Sequence, residues 1–122
     1  MSEELVRSAY QGSPLAQRSF PTWESYWEFQ KALHADLQQI QITLHTPDGS
    51  TVGGIVLCPV LDALAGESLM ALHTFILPAH RSVTALKALR KEAREAARRA
   101  DYRWIIYPRG TPEGVLNKYQ EV

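Results

Sequence analysis

The sequence predicts a mixed α/β (α+β) fold: an antiparallel hairpin and a central strand, then one β-α-β crossover, with an amphipathic helix ahead of them. Three observations carry this. The hydrophobic period switches from helical to alternating at Gln41. The run Leu69–Leu77 is apolar on both faces apart from His73 and Thr74. An alanine-rich segment without Gly or Pro then separates it from a second apolar run, Trp104–Tyr107.

With 122 residues the chain is sized for a single domain spanning 1–122. A composition of 45% hydrophobic and 21% charged residues excludes disorder and collagen-like repeats. Thirteen basic side chains balance thirteen acidic ones, so the whole chain is neither a polybasic nucleic-acid binder nor an acidic tail. Cys58 is the only cysteine, which excludes an intrachain disulfide framework and a multi-cysteine zinc site and fits a reducing compartment. The first ten residues carry Glu3, Glu4 and Arg7 and do not read as a signal peptide. Apolar runs fall far short of the ~20 residues of a membrane span. A soluble, cytoplasmic chain with no membrane partner is expected.

Residues 1–21 are expected to form a weakly structured N-terminal arm, with Leu5–Tyr10 as a short edge strand and Gln11–Phe20 as loop, because Gly12, Pro14 and Pro21 interrupt every periodic run. Thr22 caps a helix from Trp23, with Glu24 suited to its first turn. Trp23, Trp27, Leu33, Leu37 and Ile40 recur at helical spacing, flanked by Tyr26 and Phe29. Such a stripe is read as a packing face against a sheet rather than a ligand platform.

Gln41–Thr46 and Thr51–Leu57 alternate around the turn Pro47–Ser50 and predict a hairpin. Gly53-Gly54 within its second strand marks a bulge or a close backbone approach. Pro59 ends that strand, Leu61–Ser68 connects, and Leu69–Leu77 is the central strand, stopped by Pro78. Ser82 caps a helix over Val83–Ala100 that holds six alanines and two leucines. Its apolar stripe runs Val83, Leu86, Leu89, Ala93, Ala96, Ala97 and Ala100. Trp104–Tyr107 follows as a strand parallel to the central one, closed by Pro108. Residues 109–122 read as a short polar C-terminal tail, with at most a short helix near Val115–Gln120.

The most informative stretch for function is the junction Phe75–Leu86. A strand ends there and a long helix begins, so unpaired N–H groups, the helix dipole and Arg81 together suit an anion such as a phosphate or diphosphate. Four histidines lack metal-ligand spacing, and no metal is expected. His45 and His73 are placed on strands that could bring them together as acid–base groups. Cys58 reads as a buried structural thiol. Between Arg81 and Arg103 eight basic residues face three acidic ones, a local charge of +5. The face Lys87, Arg90, Lys91, Arg94 and Arg98 is read as solvated, with Glu95 placed for pairs with Lys91 and Arg99, rather than as a grip on nucleic acid.

The run "HTFILPAHRSVTALKALRKEAREAARRADYRWII" (His73–Ile106), with the preceding hairpin, resembles the GNAT superfamily of N-acetyltransferases over Gln41–Tyr107. The resemblance implies a GNAT-like mixed sheet, an acetyl-CoA site and transfer of acetyl to an amine acceptor. The strands Leu69–Leu77 and Trp104–Tyr107 would splay to admit the pantetheine arm, with backbone groups near Phe75–Leu77 pairing with its amides. The N–H groups of Val83, Thr84, Ala85 and Leu86 would hold the diphosphate beside Arg81. His73 or His45 would act as general base and Tyr119 or Tyr107 as general acid. Counted from Arg81, Thr84 and Leu86 stand where the family has small residues, and a β-carbon at each holds the backbone further from the phosphates. The chain is also short after Tyr107, where the family adds a helix and two strands. A non-catalytic module on the same scaffold, docking a protein partner or a second copy and located in a phage virion, is the alternative expectation.

Overall fold

A five-stranded sheet organises the chain, and the computed structural model describes residues 2–122 of it. The elements in order are α1 (Glu3–Gln11), α2 (Pro14–Ser19), α3 (Trp23–Ala35), β1 (Ile40–His45), β2 (Thr51–Asp62), β3 (Gly66–Ile76), a 3-10 turn (Pro78–His80), α4 (Val83–Arg99), β4 (Trp104–Thr111) and β5 (Gly114–Glu121). Strand order follows chain order, β1 to β5. Only β3 and β4 run parallel, joined by the α4 crossover. The mixed α+β fold predicted from the periodicity is therefore the one observed.

Alternation along the strands divides the molecule into two layers on either side of the sheet. Ile55, Leu57, Leu69, Ala71, Ile105 and Tyr107 meet Leu89, Ala93 and Ala97 of α4 in the main core. Val83 stands out of the expected α4 stripe, 70% exposed, because it lies in the first turn, beyond the sheet's cover. A second cluster, Val6, Tyr10 and Tyr26 with half-buried Trp23 and Trp27, joins α1 to α3.

Gly53 and Gly54 are required by close approach. A β-carbon on Gly53 would lie 2.9 Å from the Phe75 carbonyl oxygen, and one on Gly54 would lie 3.0 Å from that of Ile42. Gly53→Ala is expected to destabilise the fold by about 1–3 kcal/mol, read by denaturant unfolding, since backbone on the neighbouring strand must move.

Several expectations are corrected. Leu5–Tyr10 belongs to helix α1, not an edge strand: Ser2 caps it, Glu3 and Glu4 occupy its first turn, and Leu5, Val6 and Tyr10 are its buried residues. Within 11–20, Pro14 starts a helix instead of breaking one, occupying the first turn of α2 behind the Ser13 cap. The buried row of α3 is Tyr26, Gln30 and His34, not the Trp23–Trp27 stripe, and the helix ends at Ala35. β2 continues through Pro59 to Asp62 because β1 begins only opposite Leu57, leaving an open edge where a missing N–H is tolerated. Residues 114–121 form strand β5 rather than a tail or helix, paired along all of β4. Its residues are mostly exposed, so no apolar alternation marked it.

Both ends of α4 are closed. The Ser82 hydroxyl accepts from the Ala85 N–H at 3.0 Å. At the other end Asp101 is left-handed (φ 63°) and Tyr102 N–H donates to Ala97 O at 2.9 Å, a Schellman closure with Asp where glycine is usual. Asp101→Gly is expected to raise stability by up to ~1 kcal/mol, measurable as a higher denaturation midpoint.

Candidate functional site

Strands β3 and β4 pair over only two positions, Leu69 with Ile105 and Met70 with Ile106. Beyond them both strands continue, to Ile76 and Thr111, without pairing to each other. Two local features open this gap. The register of β2 against β3 shifts so that Leu57 faces Ala71 and Val56 faces His73, which leaves Leu72 as an extra, bulged residue. On β4, the Val122 N–H donates to Arg103 O, so by alternation Ile106 and Pro108 direct their backbone toward β3. Pro108 has no N–H to give there, and the ladder stops.

The same alternation identifies the backbone lining the gap. Leu77 N–H donates to Val52 O at 2.8 Å, and Leu77 O accepts from His80 N–H at 2.8 Å. Leu77 thus gives its N–H to β2 and its carbonyl to the 3-10 turn, on the side of β3 away from the gap. Thr74 and Ile76 instead turn their N–H and C=O groups into the gap. These two residues went unnoticed in the sequence because strand phase, not side-chain type, selects them.

At its open end the gap meets the start of α4 in a groove of 530 Å³ lined by Thr74, Ile76, Arg81, Ser82, Val83 and Leu86, with Phe75. Arg81 reaches back so that Nε donates to Ile76 O at 3.0 Å. Val83 and Thr84 are exposed, and their N–H groups have no intrahelical acceptor. Ala85 N–H is taken by Ser82 Oγ and Leu86 N–H by Ser82 O, so neither is free. Thr84 does not crowd the groove; Leu86 is half-buried in its wall.

The acid–base candidates are dispersed. His73 Nε2 lies 2.9 Å from Gln30 Oε1, and its ring stacks on Phe75 at 5.1 Å and neighbours His34 at 5.4 Å. Burial, reinforced by His34, lowers its pKa to about 4, so it is neutral at pH 7. His45 is two strands away, bound to Thr43 Oγ1 at 2.8 Å and Thr51 Oγ1 at 3.2 Å; it does not meet His73 because β2 lies between. His34 takes its place, an encounter signalled only by the polar i, i+4 row Gln30–His34 of α3. Tyr119 donates to Asp62 Oδ1 at 2.9 Å, and that hydrogen bond raises its pKa. Asp62 pairs with Gly66 at the start of β3, so Tyr119 and His73 stand toward opposite ends of that strand and are not brought together. Tyr107 is buried under Arg90, whose Cζ is 4.7 Å from its ring, and burial raises its pKa. Its hydroxyl lacks a hydrogen-bond partner among the described residues. Glu95 pairs with Arg98 at 2.7 Å rather than with Lys91 or Arg99.

This architecture has a solved counterpart. An acetyltransferase of Trypanosoma brucei superposes with a TM-score of 0.55 at 16% identity, covering 93% of this chain and 81% of that one. The fold is acetyltransferase-like. No family model matches the chain, and no curated protein matches it. In this acetyltransferase-like frame the splayed strands open beside the start of α4. Among the described residues no three His, Cys, Asp or Glu side chains group as metal ligands, and no helix is long and apolar enough to cross a membrane.

Proposed function

We propose that this chain binds acetyl-CoA in the gap between β3 and β4 and transfers acetyl to an amine. The observation that carries the reading is the two-residue pairing of β3 with β4, which opens onto the exposed start of α4 beside Arg81. Bound there, acetyl-CoA would supply an activated acetyl thioester. The Thr74 N–H and C=O and the Ile76 N–H are placed for the amides of an extended arm, while Ile76 O already accepts from Arg81 Nε. The Val83 and Thr84 N–H groups and the Arg81 guanidinium suit a diphosphate. The residues present fit the group at this end, since the exposed Thr84 leaves the amides approachable.

Calorimetry and thermal unfolding test the reading. Acetyl-CoA at a hundred times its Kd should stabilise the protein by about 2.7 kcal/mol. Arg81→Ala should weaken binding about 10- to 100-fold, as loss of a charge-assisted contact does. No heat and no thermal shift at millimolar acetyl-CoA would remove the proposal.

A non-catalytic role on the same scaffold is the second reading. It is favoured by the dispersal of Tyr119 and Tyr107 away from His73 and by the low basicity of His73. It expects acetyl-CoA binding to be absent or silent, a protein partner or self-association in the purified state, and no effect of Arg81→Ala on that assembly.

A further inference from the structure

On the sheet face away from α4, the start of the chain covers a cavity of 180 Å³ that the acetyl-CoA reading does not use. Leu5 and Val6 of α1 roof it, and Val56 and Phe75 form its apolar walls, while Ile42 turns its side chain to the α4 core. For comparison, an apolar cavity of about 150 Å³ is large enough to hold benzene. His73 and Phe75, stacked at 5.1 Å with their planes 26° apart, bring two aromatic rings to it. None of the described residues lining it is Asp, Glu, Lys or Arg.

The polar content is small and specific. Gln30 Oε1, 2.9 Å from His73 Nε2, favours the tautomer that donates there and leaves Nδ1 as an acceptor. Thr43 and Gln41 supply further neutral groups at the β1 side. A charged ammonium would therefore enter without a counter-charge, at a large desolvation cost. Apolar walls with one imidazole among them suit a flat molecule that carries a single neutral N–H donor.

We infer that this cavity binds a small neutral aromatic amine of the aniline class, ring between α1 and β2 and amino group toward His73 Nδ1. Its service as the acetyl acceptor rests on the reading above: the amine nitrogen would bond to the acetyl carbonyl carbon, the C–S bond would break, and the proton lost from nitrogen would end on the departing coenzyme A thiolate. Binding itself does not rest on that reading, and is measured without acetyl-CoA. An arylamine is uncharged near pH 7, so a weakly basic His73 need not first strip a proton from an ammonium.

The experiment is titration of the full chain at pH 7.5 with p-toluidine, p-xylene and benzylamine, followed by calorimetry and by amide chemical shifts of α1 and β2. p-Toluidine should bind at one site, at least about tenfold more tightly than benzylamine, which is an ammonium at this pH, and more tightly than p-xylene, which lacks the donor. His73→Leu should abolish the preference for p-toluidine over p-xylene while leaving apolar binding. Val56→Phe should fill the cavity and lose binding at least about tenfold. Thr43→Phe, at an exposed strand position that accepts an aromatic residue, should do the same if Val56→Phe fails to fold. Absence of binding by all three molecules, equal binding of benzylamine and p-toluidine, or shifts confined to other elements would overturn the inference. Acetyl-CoA binding at Arg81 would be untouched by that outcome.

Discussion

Acidification from pH 7 to pH 4 is expected to cost the fold about 3 kcal/mol through His73 alone. Its pKa is held at about 4 in the folded chain, against 6.5 when unperturbed. Burial is the larger cause and the nearby His34 ring the smaller. Above pH 6.5 the ring is neutral in both states and contributes no pH dependence. Between 6.5 and 4 the unfolded chain takes up the proton first, so stability falls as pH falls, and the loss levels off below 4. The carboxylates act in a different window. Asp48, held at about 2 by the Thr46 hydroxyl and Ser50 N–H, loses its contribution only below the ordinary carboxylate range. Denaturant unfolding at half-unit pH steps separates the two, and His73→Leu should flatten the upper window. A wild-type stability that stays level from pH 7 to 4.5 would show that His73 is not held neutral by its site.

The second large effect is expected at Leu89. This side chain is 1% exposed and joins α4 to the sheet residues that precede the gap, Leu69, Ala71 and Ile105. Leu89→Ala removes methyl groups from a close-packed site and should destabilise by about 2–5 kcal/mol, lowering the melting temperature by roughly 10 °C or more. Because α4 carries the exposed amides and Arg81 precedes it, the variant should also bind acetyl-CoA less tightly at 37 °C and recover on cooling, where the folded fraction is restored. Binding that falls equally at every temperature would instead mean that Leu89 shapes the groove directly.

The order hairpin, central strand, α4 and β4 was legible because each element carries its own pattern. Alternation marks β1 and β2, apolar residues on both faces mark β3, and alanine with a Ser82 cap marks α4. The two glycines of β2 announced a close approach, and the distances to Phe75 O and Ile42 O agree. Helix α1 carried an equally local sign in Ser2 with Glu3 and Glu4, but Gly12 and Pro14 close behind it cut its periodic run short. Strand β5 carried none, since an exposed edge strand needs no apolar face.

The site divides along the same line. Arg81 and the capped start of α4 are contiguous in the chain, so local chemistry identified them. Which backbone groups face the gap depends on the phase of β3 against β2 and of β4 against β5, a property of pairs of strands. That phase turns the Leu77 N–H to β2 and turns Thr74, Ile76 and Pro108 toward the gap. The meeting of His34 with His73 and the retention of Tyr119 by Asp62 join residues 39 and 57 positions apart. Sequence alone determined the hairpin, the central strand, α4, β4 and the charged helix start, because periodicity, capping and the dipole act within a few residues. Only the tertiary structure decided what faces what, because register and packing are set by contacts that no short segment contains.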